Sequence, residues 1–238
     1  MNLKHTPLHE VHAELGANFT DFGGWDMPLR YGSELEEHHA VRKSAGLFDL
    51  SHMGEVWVEG AEAATFLNTA LAGNFAVTAV GRAKYSLLLQ EDGGIIDDLI
   101  AYRMGEESFL VVPNAGNAPV VAEELVKRSE GFNVTVKDAS ADTALVAVQG
   151  PASVAILKDV VEDVALMEEM KYYAAAETKA AGVDIILART GYTGEDGFEL
   201  YTANENAVAL WDALAKAGEA HGIVPCGLAS RDSLRLEA

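Results

Sequence analysis

Val56-Trp-Val-Glu-Gly60-Ala-Glu-Ala-Ala-Thr-Phe-Leu67 returns, at an offset of 90 residues, as Val146-Ala-Val-Gln-Gly150-Pro-Ala-Ser-Val-Ala-Ile-Leu157. Each copy reads as a strand, a glycine and a helix. A shorter echo follows: Glu195-Asp-Gly197 repeats Glu91-Asp-Gly93, and each leads into a strand and then a helix. Two copies are too few for a solenoid, so the pattern predicts an internal duplication of α+β class with mixed sheets. The expected subdomains cover roughly 1–140 and 141–238. No linker rich in Pro, Gly or Ser divides them, so they are expected to be intertwined.

The flanking segments fit this plan. Ser33 and Glu36 have capping-box spacing at the start of a helix that Gly46 stops. Lys84–Gln90 and Ile95–Arg103 alternate as strands about the tight turn Glu91-Asp-Gly-Gly94, which predicts a hairpin. Pro119 sits in the first turn of the next helix, where its missing N–H had no partner to lose. Ala207, Leu210, Trp211 and Leu214 form the apolar stripe of a helix over 204–220, and Ser230 begins a further one.

Composition bounds the function. With 49% hydrophobic and 23% charged residues the chain is globular, and it contains no apolar run long enough to span a bilayer. The N-terminus lacks the apolar core of a secretory signal. A formal charge of −20 disfavours nucleic acid and anionic membrane surfaces as partners. The one cysteine, Cys226, leaves no disulfide framework and no Cys-rich metal site, which points to a cytoplasmic protein.

Three groups of residues could carry chemistry. Asp97 and Asp98 lie among apolar residues on one strand, so they point to opposite faces. One of them is expected on the face lined by Ile96 and Ile100, desolvated and able to act as a base or to steer charge; the plainer reading is a solvated hairpin edge. Arg189-Thr-Gly-Tyr-Thr-Gly-Glu-Asp-Gly-Phe-Glu199 spaces three glycines by three, which allows a tight loop whose backbone approaches a ligand, with Tyr192 as a flat ring and Glu199 as an acceptor. A strand follows instead of a helix, so this is neither a Rossmann nor a Walker loop. The histidines lack zincin spacing and no metal is expected; His52 reads as a hydrogen-bonded structural histidine and Cys226 as buried filler.

Eight stretches in one order then resemble a single family. They are Thr6-Pro-Leu8, Asp21-Phe-Gly-Gly-Trp-Asp-Met-Pro-Leu29, His39-Ala-Val-Arg42, Gly46-Leu-Phe-Asp-Leu-Ser-His-Met53, Gly93-Gly-Ile-Ile-Asp-Asp-Leu99, Val148-Gln-Gly-Pro151, Arg189 to Glu199, and Gly227-Leu-Ala-Ser-Arg-Asp-Ser-Leu-Arg-Leu-Glu-Ala238. The chain resembles the aminomethyltransferase (T-protein) of the glycine cleavage system. The resemblance implies an enzyme that takes the methylene group of an aminomethyl adduct on lipoylated H-protein and passes it to tetrahydrofolate, releasing ammonia and giving 5,10-methylenetetrahydrofolate. It implies a duplicated folate-binding fold, here without the C-terminal β-rich domain with which the family usually continues, as in a fragment.

By motif match, Asp98 falls on the essential aspartate, inward-facing; Tyr192 and Glu199 fall on pterin contacts, Tyr85 and Asn114 on pocket residues, and Arg231 on the arginine that approaches the folate. A basic patch around Arg30, Arg42 and Lys43 would help an acidic chain dock an acidic H-protein. The scaffold also hosts oxidases and demethylases, so fold alone does not name the reaction. A catalytically silent folate-binding scaffold and a folate-dependent demethylase of a small methylated substrate are the alternatives.

Overall fold

Three helices repeat one stripe. Ala63, Phe66, Leu67 and Ala70, then Ala118, Val121, Ala122 and Leu125, then Ala207, Leu210, Trp211 and Leu214 are all buried at i, i+3, i+4, i+7 spacing. That spacing puts one apolar face on each helix, and a sheet is the surface able to cover it. The computed structural model describes residues 2–238. Its helices are α1 (His9–Glu14), α2 (Glu34–Lys43), α3 (Ala63–Ala70), α4 (Ala118–Arg128), α5 (Ser153–Leu157), α6 (Val164–Glu169), α7 (Ala207–Gly218) and α8 (Leu228–Glu237). Its strands are β1 (Asn18–Phe22), β2 (Trp25–Arg30), β3 (Gly46–Asp49), β4 (Val56–Glu59), β5 (Ala83–Leu89), β6 (Ile95–Gly105), β7 (Ser108–Val112), β8 (Thr135–Asp138), β9 (Thr143–Gln149), β10 (Ala175–Ala180), β11 (Val183–Ala188), β12 (Gly197–Ala203) and β13 (Val224–Pro225).

The elements fall into two units that do not follow the chain in series. The first unit combines residues 2–52 with Ala144–Tyr172 and Glu177–Ala238; the second holds Met53–Thr143 and Tyr173–Ala176. The first unit contains a six-stranded sheet of order β10-β11-β12-β9-β3-β13 and the β1–β2 hairpin. The fully buried β3 runs antiparallel to β9, with Asp49 opposite Val146, and parallel to β13. This long-range pairing places the N-terminal residues with the second half of the chain, whereas a division near residue 140 would have left them with the first. The second unit is a five-stranded sheet of order β5-β6-β7-β4-β8. Its core gathers Val56, Val58, Phe66, Leu67, Phe75, Leu88, Leu99, Phe109, Val111, Val121 and Leu125. Each fully buried Leu or Phe contributes about 2 kcal/mol relative to exposure.

The repeated turn is realised in both units. β4 passes through Gly60 at φ +138° into α3, and β9 passes through Gly150 at φ +134° into α5. Both glycines are also packed against backbone: a Cβ would overlap Asn133 O at Gly60 and Ser44 O at Gly150. The shorter echo is not equivalent. Gly93 sits in the β5–β6 turn at φ +88° with open space around it, and two strands separate it from α4. Gly197 has an ordinary φ and is hemmed in by Gln149. No helix among the described residues is long and apolar enough to cross a membrane.

Candidate functional site

In the second unit the two aspartates of β6 diverge as strand geometry requires, but the buried one is Asp97. Its odd-numbered face carries Leu99 and Ala101 into the core, whereas Asp98 shares the half-exposed face with Ile96 and Ile100. Asp98 thus lies on the face lined by Ile96 and Ile100, as the resemblance implied, while Asp97 takes the face that the core covers.

Asp97, 2% exposed, is held by the backbone N–H of Asn114 (2.9 Å), by the Asn114 side-chain amide (3.1 Å) and by that of Asn117 (2.7 Å). Asn117 stands at the N-cap of α4 yet makes no side-chain cap, since its amide is committed to the aspartate. Three donors satisfy a carboxylate that would otherwise be costly to bury. Asp98 accepts from the Tyr85 hydroxyl at 3.0 Å and from Asn114 Nδ2 at 3.1 Å. Desolvation, then the hydrogen bond to Asp98, raise the Tyr85 phenol above its ordinary value, so it remains a donor at neutral pH. Tyr85, Asp98 and Asn114 thus form one cluster, with Asp97 fixing the asparagine that fixes Asp98. The Tyr85 ring itself is 47% exposed.

In the first unit the glycine-spaced loop joins β11 to β12. Phe48, Leu50, Ala147, Gln149, Tyr192, Glu199 and Arg231 line a narrow slot there. Arg231 lies 5.1 Å from the centre of the Tyr192 ring, a cation–π distance, and the ring is 42% exposed. Glu199, opposite Ala188 in the β11–β12 ladder, is 7% exposed and accepts a hydrogen bond from the Thr190 hydroxyl. Burial lowers the Arg231 pKa from its ordinary value while Glu199 pulls it the other way. The slot offers a flat ring, a buried acceptor and a cation side by side.

The three loop glycines answer to different intramolecular demands. Only Gly194 adopts a positive φ. Gly191 and Gly197 leave room for the side chain of Gln149, which any Cβ there would strike. Gln149 Nε2 donates to Thr190 O at 2.9 Å, and its Oε1 accepts from Thr193 Oγ1 at 2.8 Å. The backbone at Gly191 and Gly197 therefore closes on the protein's own Gln149 amide. Val148-Gln-Gly-Pro151 had marked Gln149 only as part of a motif; its partners lie about forty positions away, beyond any local pattern.

The remaining residues resolve as follows. His52 is buried and pushed down to about 4, first by burial, so its imidazole is neutral. Its Nδ1 has no hydrogen-bond partner and its ring meets Phe22 edge-on, so packing holds it and not the hydrogen bonding expected. Cys226 is buried filler, its thiol pushed up by burial. Arg42 is bound to Thr193 O, Glu195, Leu234 O and Glu237, so it cannot supply the free cation of a basic patch.

A buried network around Asp49 went unread in the sequence because its members, Thr6, His12 and Ser51, are scattered. Thr6 Oγ1 donates at 2.7 Å, His12 Nε2 at 2.9 Å and the Ser51 N–H at 2.9 Å. Burial alone would raise the pKa of Asp49; the hydrogen bond and charge of His12, with Thr6 and Ser51, outweigh it and lower the value.

Comparison with known proteins agrees with this architecture. Residues 8–238 match the family described as the GCVT N-terminal domain. The chain is similar to the aminomethyltransferase of Corynebacterium aurimucosum, 58% identical over 237 residues, covering 98% of this chain and 64% of that protein. It is 56% identical to the aminomethyltransferase of Streptomyces coelicolor, covering 99% of this chain and 63% of that protein. Among solved structures it is similar to glycine cleavage system aminomethyltransferase T from Bartonella henselae, with TM-score 0.90, 42% identity, and coverage of 99% of this chain and 63% of that chain. A chain of heterotetrameric sarcosine oxidase from Corynebacterium sp. U-96 shares the fold at TM-score 0.65 and 15% identity, covering 93% of this chain and 97% of that chain. The chain thus spans somewhat under two thirds of the length of the aminomethyltransferases it matches.

Proposed function

We propose that this chain, which belongs to the GCVT N-terminal domain family, holds tetrahydrofolate and carries the one-carbon transfer step of an aminomethyltransferase. In this reading the donor is the aminomethyl adduct on lipoylated H-protein of the glycine cleavage system. The methylene carbon leaves sulfur for the two folate nitrogens; the lipoyl sulfur gains a proton, and ammonia departs with another. The observation that carries the proposal is the oriented, partly buried carboxylate of Asp98, held by Tyr85 and Asn114. An acceptor so held orients the folate nitrogens and stabilises positive charge on the iminium-like carbon between them. In the same reading Tyr192 stacks on the pterin, Glu199 accepts from its amino and ring N–H groups, and Arg231 meets the folate's anionic end. A reduced pterin presents a flat ring with a donor edge, for which the Tyr192 ring and the Glu199 carboxylate offer a stacking surface and an acceptor.

The test measures tetrahydrofolate binding by titration and ammonia release from aminomethyl-lipoyl H-protein in a coupled assay. Asp98→Asn is expected to lower turnover by about 10² or more while tetrahydrofolate affinity changes little. Unchanged turnover in that variant would remove Asp98 from the chemistry. Folate binding without ammonia release by the unsubstituted chain would instead select a binding scaffold, and turnover of a small methylated substrate alone would select a demethylase.

A further inference from the structure

We propose that His5, His9 and Asp26 form a binding site for a borderline divalent cation, Zn²⁺ above all, on the N-terminal part of the first unit. One ligand atom from each residue lies within 4.8 Å of the others. His9 Nε2 stands 2.9 Å from Asp26 Oδ2, and His5 Nε2 addresses the same oxygen at 4.0 Å. Two ligands on one tetrahedral zinc stand about 3.3 Å apart; His9 and Asp26 are already near that spacing, and half-exposed His5 reaches the same ion by rotating out of its stack on His9. Two imidazole nitrogens and a carboxylate oxygen are a donor set suited to zinc, copper or nickel, and poorly suited to calcium or magnesium. Three protein ligands leave the fourth position to water, on the side where His5 is half-exposed.

The backbone that carries the three residues, and the His9–Asp26 pair, are held in place before any ion arrives. Lys4 N–H donates to Gly24 O at 2.9 Å and Asp26 N–H to Lys4 O at 2.8 Å, which ties the residue before His5 to the strand that carries Asp26. The two imidazoles stack with ring centres 3.7 Å apart and 4° between their planes, and Phe19 backs His9 at 4.6 Å. His9 Nδ1 is buried with no hydrogen-bond partner, and the Glu10 carboxylate lies 3.7 Å from it. A ligating histidine characteristically directs its second nitrogen at such a carboxylate, which raises its basicity. The site lies outside both clusters assigned above to one-carbon transfer, and a chain of formal charge −20 enriches cations around itself. Spacing had argued against metal because it was judged by the zincin pattern; the third ligand comes from a strand seventeen positions beyond His9, which no helix pattern reports.

Titration of the chain with Co²⁺, followed by visible absorption, is expected to give one saturable equivalent with the strong bands of tetrahedral geometry, displaced by Zn²⁺. His5→Ala and Asp26→Asn should each weaken binding about tenfold or more, whereas His221→Ala should leave it unchanged. Zn²⁺ should raise the Tm of the unsubstituted chain and not that of His5→Ala, which removes a side chain already half in solvent. Equal titration of the unsubstituted chain and both variants would mean adventitious binding elsewhere and would overturn the proposal, as would the absence of any saturable phase.

Discussion

The two copies of the duplicated segment share a backbone device and differ in the acid placed beside it. Gly60 and Gly150 turn strand into helix at φ +138° and +134°, each pressed against a carbonyl oxygen. Next to the first residue of each copy lies a buried carboxylate: Glu55 precedes Val56 in the chain, and Asp49 faces Val146 across the β3–β9 ladder. Asp49 is hydrogen-bonded by Thr6, His12 and Ser51, and its pKa is lowered. Both Glu55 oxygens lack a hydrogen-bond partner, and burial, with Asp138 adding repulsion, raises its pKa well above the ordinary value. The two segments share what backbone sterics demand and differ in electrostatics, which each takes from its own neighbours.

The strongest way to break this comparison is to substitute the shared glycines. Gly60→Ala and Gly150→Ala combine a disallowed φ with overlap on backbone, so each is expected to cost about 4 kcal/mol in urea unfolding. Gly93→Ala, at a positive φ in open space, should cost about 1 kcal/mol. If all three cost the same, close packing is not what sets the turn. Asp49→Asn should follow at about 3 kcal/mol, because it leaves an imidazole and a hydroxyl poorly paired in the core. Since the folded pKa of Asp49 lies below its ordinary 3.8, its stabilisation is complete above that value and is lost as pH falls through the folded one. An acid-unfolding midpoint that does not move in the variant would contradict this.

Glu55 has the opposite sign. Its folded pKa is raised, so its contribution is complete below the ordinary 4.5 and declines as pH rises toward the folded value. Glu55→Gln should flatten that decline between unfolding curves at pH 5 and pH 8; an unaltered pH slope would show that Glu55 is not its source.

What could be read in advance follows physical range. The strand–glycine–helix turn was legible because its steric demand falls on one residue, and the hairpin because Glu91-Asp-Gly-Gly94 sets it locally. Divergence of Asp97 and Asp98 was legible from the pleat, but which of them is buried depends on where α3 and α4 pack. Those helices lie before and after β6 in the chain, and no local pattern assigns them a face. Of the loop glycines, Gly191 and Gly197 make room for Gln149, a demand no local pattern reports because that side chain arrives from β9. Glu195-Asp-Gly197 matched Glu91-Asp-Gly93 in letters alone, since three residues of common turn chemistry recur without common geometry.

Gln149 carries one last implication. Its amide fills the volume that side chains at 191 and 197 would need, so these three positions can vary only in concert. An alanine at 191 is tolerable once residue 149 has shrunk, and a smaller residue at 149 leaves a void until 191 or 197 has grown. Such a trio drifts along a narrow path of paired exchanges, and the outline of the Tyr192 loop is inherited as one character written at three places in the chain.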